Sequence, residues 1–291
     1  MRVKSFFTAL VLVFICSGYL FAQCSDAGIC IMGARNPEVL SKDLPDKMSL
    51  SYSLGFSGKS GGDFTYNKLT MNGDFKIYKF SRVEFSLPYS VNTGPLATEK
   101  GFGDMILLLT QYVPFPAIGT LGISLGAKFS SGSADIDGLP QAYQPALGTN
   151  DLLFGIGSNI GLVNFYLGYQ KPFDRSNNQF TRLKRGDEMM LRFGYTIPVN
   201  KTMLQAEVIG IKQLQVSNIK VPGSDPEVFT DIGGSNELQI NLIARVTHMV
   251  KDYLRFETYA ALPLLKKDYN LDGLTRTFSA SIGVAYLFYL K

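Results

Sequence analysis

Apolar and polar positions alternate along most of this chain. Met48, Leu50, Tyr52, Leu54 and Phe56 are interleaved with Ser49, Ser51, Ser53, Gly55 and Ser57. Val83, Phe85, Leu87, Tyr89 and Val91 follow the same rule, as do Leu121, Ile123, Leu125, Ala127 and Phe129. It returns in 189–197, 238–246, 254–262 and 278–290. A period of two sends successive side chains to opposite faces of a strand, whereas a helix would scatter them around its circumference. The pattern predicts twelve strands, at 48–57, 64–77, 82–91, 103–113, 121–130, 151–158, 163–171, 187–197, 203–213, 236–246, 253–262 and 277–290.

The connections between these segments alternate between short and long. Turns at 78–81, 114–120, 159–162, 198–202 and 247–252 are short, while 92–102, 131–150, 172–186, 214–235 and 263–276 are long. One end of an up-and-down array therefore carries the large loops. A soluble sandwich or lipocalin-like barrel also alternates apolar and polar residues, so the period alone does not decide the class. Strands of about ten residues, an even count and loops confined to one end are the layout of a membrane barrel. In hydrocarbon every backbone group must be paired, and a closed sheet is the one strand arrangement that does so. The fold expected is all-β: an up-and-down antiparallel transmembrane β-barrel of about twelve strands in the bacterial outer membrane. Tyr78, Phe80, Tyr112, Phe115, Tyr195, Tyr253 and Phe288 near strand ends suit interfacial girdles. The chain closes on a strand rich in aromatics, as the barrel-assembly machinery would require of a client.

The first 22 residues read differently. Met1 to Lys4 is basic, Ser5 to Ala22 carries no charge, and Leu20-Phe21-Ala22 is an acceptable cleavage site. That is a secretory signal peptide, cut after Ala22. Cys16 leaves with it, so Cys24 and Cys30 remain as a pair in an exported chain and are expected to form a small disulfide loop. A lipid anchor on Cys24 would call for a small residue before it, and Gln23 stands there. Residues 23–46 are non-periodic, closed by this disulfide and interrupted by Gly28, Gly33, Pro37 and Pro45. They form a natural plug candidate ahead of a barrel at 47–291.

Composition narrows the chemistry. The formal charge of +4 falls to +2 once Arg2 and Lys4 are removed, which does not suggest a nucleic-acid partner. A single histidine, His248, makes a Ser/His/Asp hydrolase difficult to build, and it falls in a turn at the short-turn end. No enzyme activity and no cofactor are expected. Asp268 to Gly273 opens like a calcium loop, but Ser279 stands where a bidentate Glu is needed. Arg175, Arg182, Lys184 and Arg185 make one long loop basic, suiting solvent or the head groups of outer-membrane lipid.

With the apolar stripe facing lipid, the other face lines the lumen. Arg82, Glu84, Lys128, Glu188, Arg192, Glu207, Glu237, Arg245, Arg255 and Glu257 fall there. Opposite signs on neighbouring strands suit a charge network, with Glu188, Arg192, Glu207, Arg245, Arg255 and Glu257 at its centre; cross-barrel pairing and a selectivity ring are both open. Part of the lumen is apolar. Segment 103–113 is apolar on both faces, and Leu153, Tyr166, Met190, Ile209, Ile243 and Tyr259 take inward positions. Ile106, Leu108, Tyr166, Met190 and Tyr259 are candidate contacts for a small apolar solute.

Gly101-Phe-Gly-Asp104, Lys128-Phe-Ser-Ser-Gly132 and Leu147-Gly-Thr-Asn-Asp151 with Gly155 resemble motifs of the meta-pathway phenol-degradation type of outer-membrane proteins. Ser-Ser-Gly stands here where that family more often has a Pro-Thr-Gly-like turn. The Cys24 to Cys30 opening is similar to barrels of Bacteroidota-type bacteria. The resemblance covers about residues 48–291 and implies passive uptake of aromatic or other apolar compounds, a role similar to that of long-chain fatty-acid transporters. A structural or adhesin-type closed barrel and a general polar porin are the alternatives.

Overall fold

The structure, a computed structural model, describes residues 32, 45–57, 64–115, 119–267 and 276–289. The expected signal peptide, the Cys24–Cys30 disulfide and the calcium-like loop at 268–273 lie outside the described residues. Fifteen strands occur among those described: β1 (Asp46–Ser57), β2 (Phe64–Tyr78), β3 (Ser81–Thr93), β4 (Thr98–Phe102), β5 (Met105–Phe115), β6 (Gly119–Phe129), β7 (Asp151–Ile160), β8 (Val163–Pro172), β9 (Glu188–Val199), β10 (Thr202–Gln213), β11 (Asn218–Lys220), β12 (Phe229–Asp231), β13 (Leu238–Lys251), β14 (Leu254–Leu265) and β15 (Arg276–Phe288). Twelve of them pair antiparallel around a closed ring. β1 closes it, pairing with β15 from Asp46↔Phe288 onward and with β2 on its other edge.

Three short strands depart from the sequence expectation. β11 and β12 form a hairpin inside the 214–235 loop, which carries no two-residue period. β4 and β5 are one wall strand broken at Gly103–Asp104. β3 pairs with β5 through Ser81–Ser86 and with β4 through Tyr89–Thr93, while Gly103 N–H donates to the Pro88 carbonyl. Pro88 lacks an N–H, so the ladder is interrupted where the wall strand changes course.

Burial follows the parity of each strand. On β9, Met190 and Arg192 are fully buried, whereas Leu191 and Phe193 are 49% and 53% exposed. Leu107, Leu109, Ile123, Leu125, Phe154, Val208, Ile282 and Val284 continue the exposed apolar belt around the outside. A continuous apolar exterior on a closed sheet is a surface made for hydrocarbon. At the short-turn end, Tyr253 meets Tyr286 at 5.9 Å, and Tyr286 stacks with Phe288 at the same separation. Phe75 meets Phe288 at 6.2 Å, extending this interfacial cluster. Tyr112 does not join it. The residue shares the inward parity of Ile106, Leu108 and Thr110 and lies over Gly122. His248 also differs from expectation: β13 continues through it to Lys251, so it sits on a strand and faces outward beside Thr202 Oγ1, 2.8 Å from its Nδ1.

Tyr166 is positioned by missing side chains. Its ring lies over Gly155 and Gly157 of β7. A Cβ at Gly155 would fall 1.9 Å from the phenol oxygen, and one at Gly157 would fall 2.4 Å from the ring. The two glycines let the tyrosine lie against the wall.

Unboiled protein in detergent should migrate differently from boiled protein on a gel, because a closed barrel resists unfolding by detergent. Heat-independent migration, with the protein free in buffer after osmotic shock, would contradict a membrane barrel. Gly155→Ala should lower the temperature at which the folded band disappears, by an amount equivalent to about 1–3 kcal/mol of overpacking. Gly233→Ala, where an added Cβ meets open space, should leave that temperature unchanged.

Candidate functional site

The lumen is layered. At its middle is an apolar belt of Ile106, Leu108, Leu153, Met190, Ile209, Ile211, Ile243 and Ala261, with Tyr166, Tyr259 and Leu262 packed against it. The five sequence candidates, Ile106, Leu108, Tyr166, Met190 and Tyr259, therefore meet in one cluster contributed by β5, β8, β9 and β14. Met32, the one described residue of segment 23–44, belongs to the same cluster and is 1% exposed.

On the turn side of the belt the inward positions are charged. Glu207 is the shared acceptor of Arg192, at 3.3 Å, and Arg245, at 3.7 Å, while Gln205 donates to its other oxygen at 2.8 Å. Arg255 and Lys47 both reach Glu257 Oε1 at 2.8 Å. Arg82 binds Asp74 at 2.6 Å and the Pro45 carbonyl at 2.9 Å, tying the start of the barrel to its wall. Removing one partner of a buried pair of this kind costs ~3–5 kcal/mol, because the other is left charged in a poor solvent. The expected charge network is thus divided in space. Arg192, Glu207, Arg245, Arg255 and Glu257 lie on the turn side, while Glu188 lies on the loop side of the belt.

Glu188 belongs to a second assembly, and the sequence motifs converge on it. Asp104, turned inward at the break between β4 and β5, accepts from the Leu147 and Gly148 N–H groups at 3.1 and 3.0 Å. Its carboxylate is 3.6 Å from the Lys128 ammonium at the end of β6. Lys128 donates to Thr149 Oγ1 and pairs with Asp151, both at 2.9 Å. Asp151 also accepts from Gln170 and, at 2.8 Å, from Arg185. Arg185 reaches Glu188 at 3.1 Å, and Lys267, just beyond β14, lies 4.0 Å from the same carboxylate.

The glycines of these motifs permit the close approach. Gly132 leaves no room for a side chain between Ala146, the Gly103 backbone and the Phe102 carbonyl. Gly148 has φ +66°, and a Cβ there would stand 2.5 Å from Ala134. Asp104, Asp151 and Lys128 carry a signal in sequence, a charged residue beside each Gly-rich turn. Arg185 and Lys267 carry none, because their partners are set by the fold.

The long loops are joined over this assembly. Asn92 donates to the Tyr143 and Gln144 carbonyls, and Ser176 to Gln141. Asn177 N–H donates to Gly148 O, while Lys184 and Asn218 exchange backbone hydrogen bonds. Ser176, Asn178 and Ser217 are fully buried as a result. The basic loop is largely consumed internally. Arg175 stacks on Phe229 at 3.6 Å and donates to Asn218, Lys184 donates to the Phe173 carbonyl, and Arg182 and Lys220 flank Glu227. The Lys220 hydrogen bond helps hold the Glu227 carboxyl below the usual range.

No family model matches this chain, and no curated protein matches it in sequence. Solved structures do match in fold. The chain is similar to the COG4313 outer membrane channel from Pseudomonas putida F1 at a TM-score of 0.64 and 12% identity, covering 88% of this chain and 100% of that one. It is also similar to the NanC porin, at a TM-score of 0.48, 9% identity and coverage of 83% and 98%, and to the KdgM porin, at 0.45, 11%, and 84% and 99%. The likeness to the first of these shows a shared fold, and the architecture is that of a bacterial outer-membrane β-barrel.

Proposed function

We propose that this barrel is a passive uptake channel for small hydrophobic or aromatic solutes, which bind at the apolar belt, and that residues 23–46 plug it. The belt carries this reading. A Leu or Ile that turns inward and faces water forgoes ~1.5–3 kcal/mol of burial, so something must cover these side chains. Met32 in the cluster supports the 23–46 segment as one cover, and a solute that displaces it would be the other. A general polar porin has no use for eight apolar side chains at mid-lumen. The motifs that resemble the phenol-degradation type of outer-membrane proteins favour the same solute class. Ile106, Leu108, Tyr166, Met190 and Tyr259 would touch the solute. The charged layers on either side would orient a polar substituent and disfavour bare ions. Chemistry on the solute is not part of this reading, and His248 lies outside the lumen.

Thiol labelling tests it. In a background with Cys24→Ser and Cys30→Ser, single cysteines replace Met190, Ile106 or Tyr259. In the full chain they should label slowly with a water-soluble maleimide. Deleting residues 23–44, which leaves Pro45 and Asp46 in the wall, should speed labelling by at least tenfold, and a small aromatic such as toluene should restore protection where glucose does not. Labelling that neither the deletion nor the aromatic alters would replace the transporter reading with that of a structural barrel.

A further inference from the structure

The turn-side edge of the apolar belt gathers more positive charge than its carboxylates offset. Glu207 is shared by Arg192 and Arg245, and Glu257 is shared by Arg255 and Lys47. Asp74 and Glu84, inward carboxylates of the same end, are carried by β2 and β3, four and five strands round the ring from β13, which carries Arg245. Arg82 takes Asp74 there.

Arg245 is held less closely than its neighbours. Arg82, Arg255 and Lys47 approach their carboxylates to 2.6, 2.8 and 2.8 Å, and Arg192 donates to Glu207 at 3.3 Å. Arg245 stands 3.7 Å from Glu207, beyond hydrogen-bond distance, and its Nε is buried without an acceptor. Its side chain is 16% exposed, against 2% for Arg192 and 3% for Arg255, so of these three guanidiniums it is the one open to the lumen. Strand register puts it at the edge of the belt. Arg245 is paired with Tyr259 of β14, its guanidinium 5.7 Å from that ring, and Ile243 of the belt is the adjacent inward residue of β13. A guanidinium presents five N–H donors in a planar fork that fits the two oxygens of a carboxylate. Beside apolar side chains an unanswered charge is costly, and an anion that answers it is held more strongly than in water.

We propose that Arg245 receives the anionic head of the solute, a small monocarboxylate whose apolar body lies on Met190, Ile209, Ile243 and Tyr259. A carboxylate on the N–H groups that Glu207 does not reach gives Arg245 an acceptor and offsets one unit of the surplus charge. A hydroxyl or an amide supplies the acceptor and leaves the charge, and an ammonium adds to it. The assignment rests on the reading of the belt as a solute site. It narrows the solute from apolar compounds in general to those that carry one carboxylate.

Calorimetric titration in detergent at neutral pH tests this in the full chain and in the chain lacking residues 23–44. The ligands are benzoate, benzamide as its uncharged counterpart, and toluene as the bare ring. Benzoate should bind roughly ten- to a hundredfold more tightly than benzamide, the range that hydrogen bonds to a charged group supply. Arg245→Gln should abolish that preference and leave benzamide binding unchanged. Arg245→Lys, which keeps the charge, should retain most of it. Lys220→Gln, which removes a cation from the exposed hairpin, should change nothing. Heat-modifiable migration of each variant reports that the barrel has formed. Equal affinity for benzoate and benzamide, or a benzoate preference that survives in a folded Arg245→Gln barrel, would overturn the receptor. If toluene still binds and protects the belt cysteines, the solute reading stands without it. Failure of all three compounds to bind either chain would remove both.

Discussion

The constraint on which the rest depends is that a backbone amide in hydrocarbon has no water to bind. A strand in that medium must be paired on both edges, so the sheet has to close, and here β1 closes it between β15 and β2. Closure converts the period of two into an inside and an outside. Leu191 and Phe193 go to lipid, and Met190 and Arg192 go to the lumen. Every functional feature is then a question of which residues occupy the inward parity, and at what height.

The heights are sorted by solvent. The middle of the lumen, remote from both mouths, holds Ile, Leu and Met, while each flank holds paired charges. A carboxylate such as Glu207 is stable there because two guanidiniums and an amide converge on it. The belt is covered from within, at least by Met32, for the reason that a core residue in a soluble protein is covered. The barrel thus combines a lipid-facing hydrophobic surface with a small interior core, and the interior one is where selectivity would be set.

The loop end shows how local backbone chemistry creates a long-range arrangement. Pro88 and Gly103 interrupt the wall ladder, the interruption turns Asp104 inward, and Asp104 then binds two consecutive N–H groups of the long loop. Gly132 and Gly148 permit the loop to come close enough. The motifs that resemble a transporter family therefore have a mechanical content in this chain: they dock the 131–150 loop to the wall and place Lys128 and Asp151 beside Arg185.

Much of this was legible before any coordinates. The period of two, the alternation of short and long connections and the inward parity of Tyr166, Met190 and Tyr259 follow from residue order, because side-chain direction in a strand is a local property. Local order could not choose a face for 103–113, apolar on both sides, and pairing with β3 and β6 decided that Ile106 and Leu108 turn inward. Nor did it show that Tyr112 faces the lumen, that His248 lies on a strand, or that the loop between β10 and β13 contains a hairpin. Arg185 is the clearest case. By sequence it is one of four basic residues in a polar loop, and only the tertiary structure brings it to Asp151, 34 positions away. Parity and period are written in neighbouring residues, whereas a buried ion pair is decided by which distant wall positions the closed ring brings within a few ångströms.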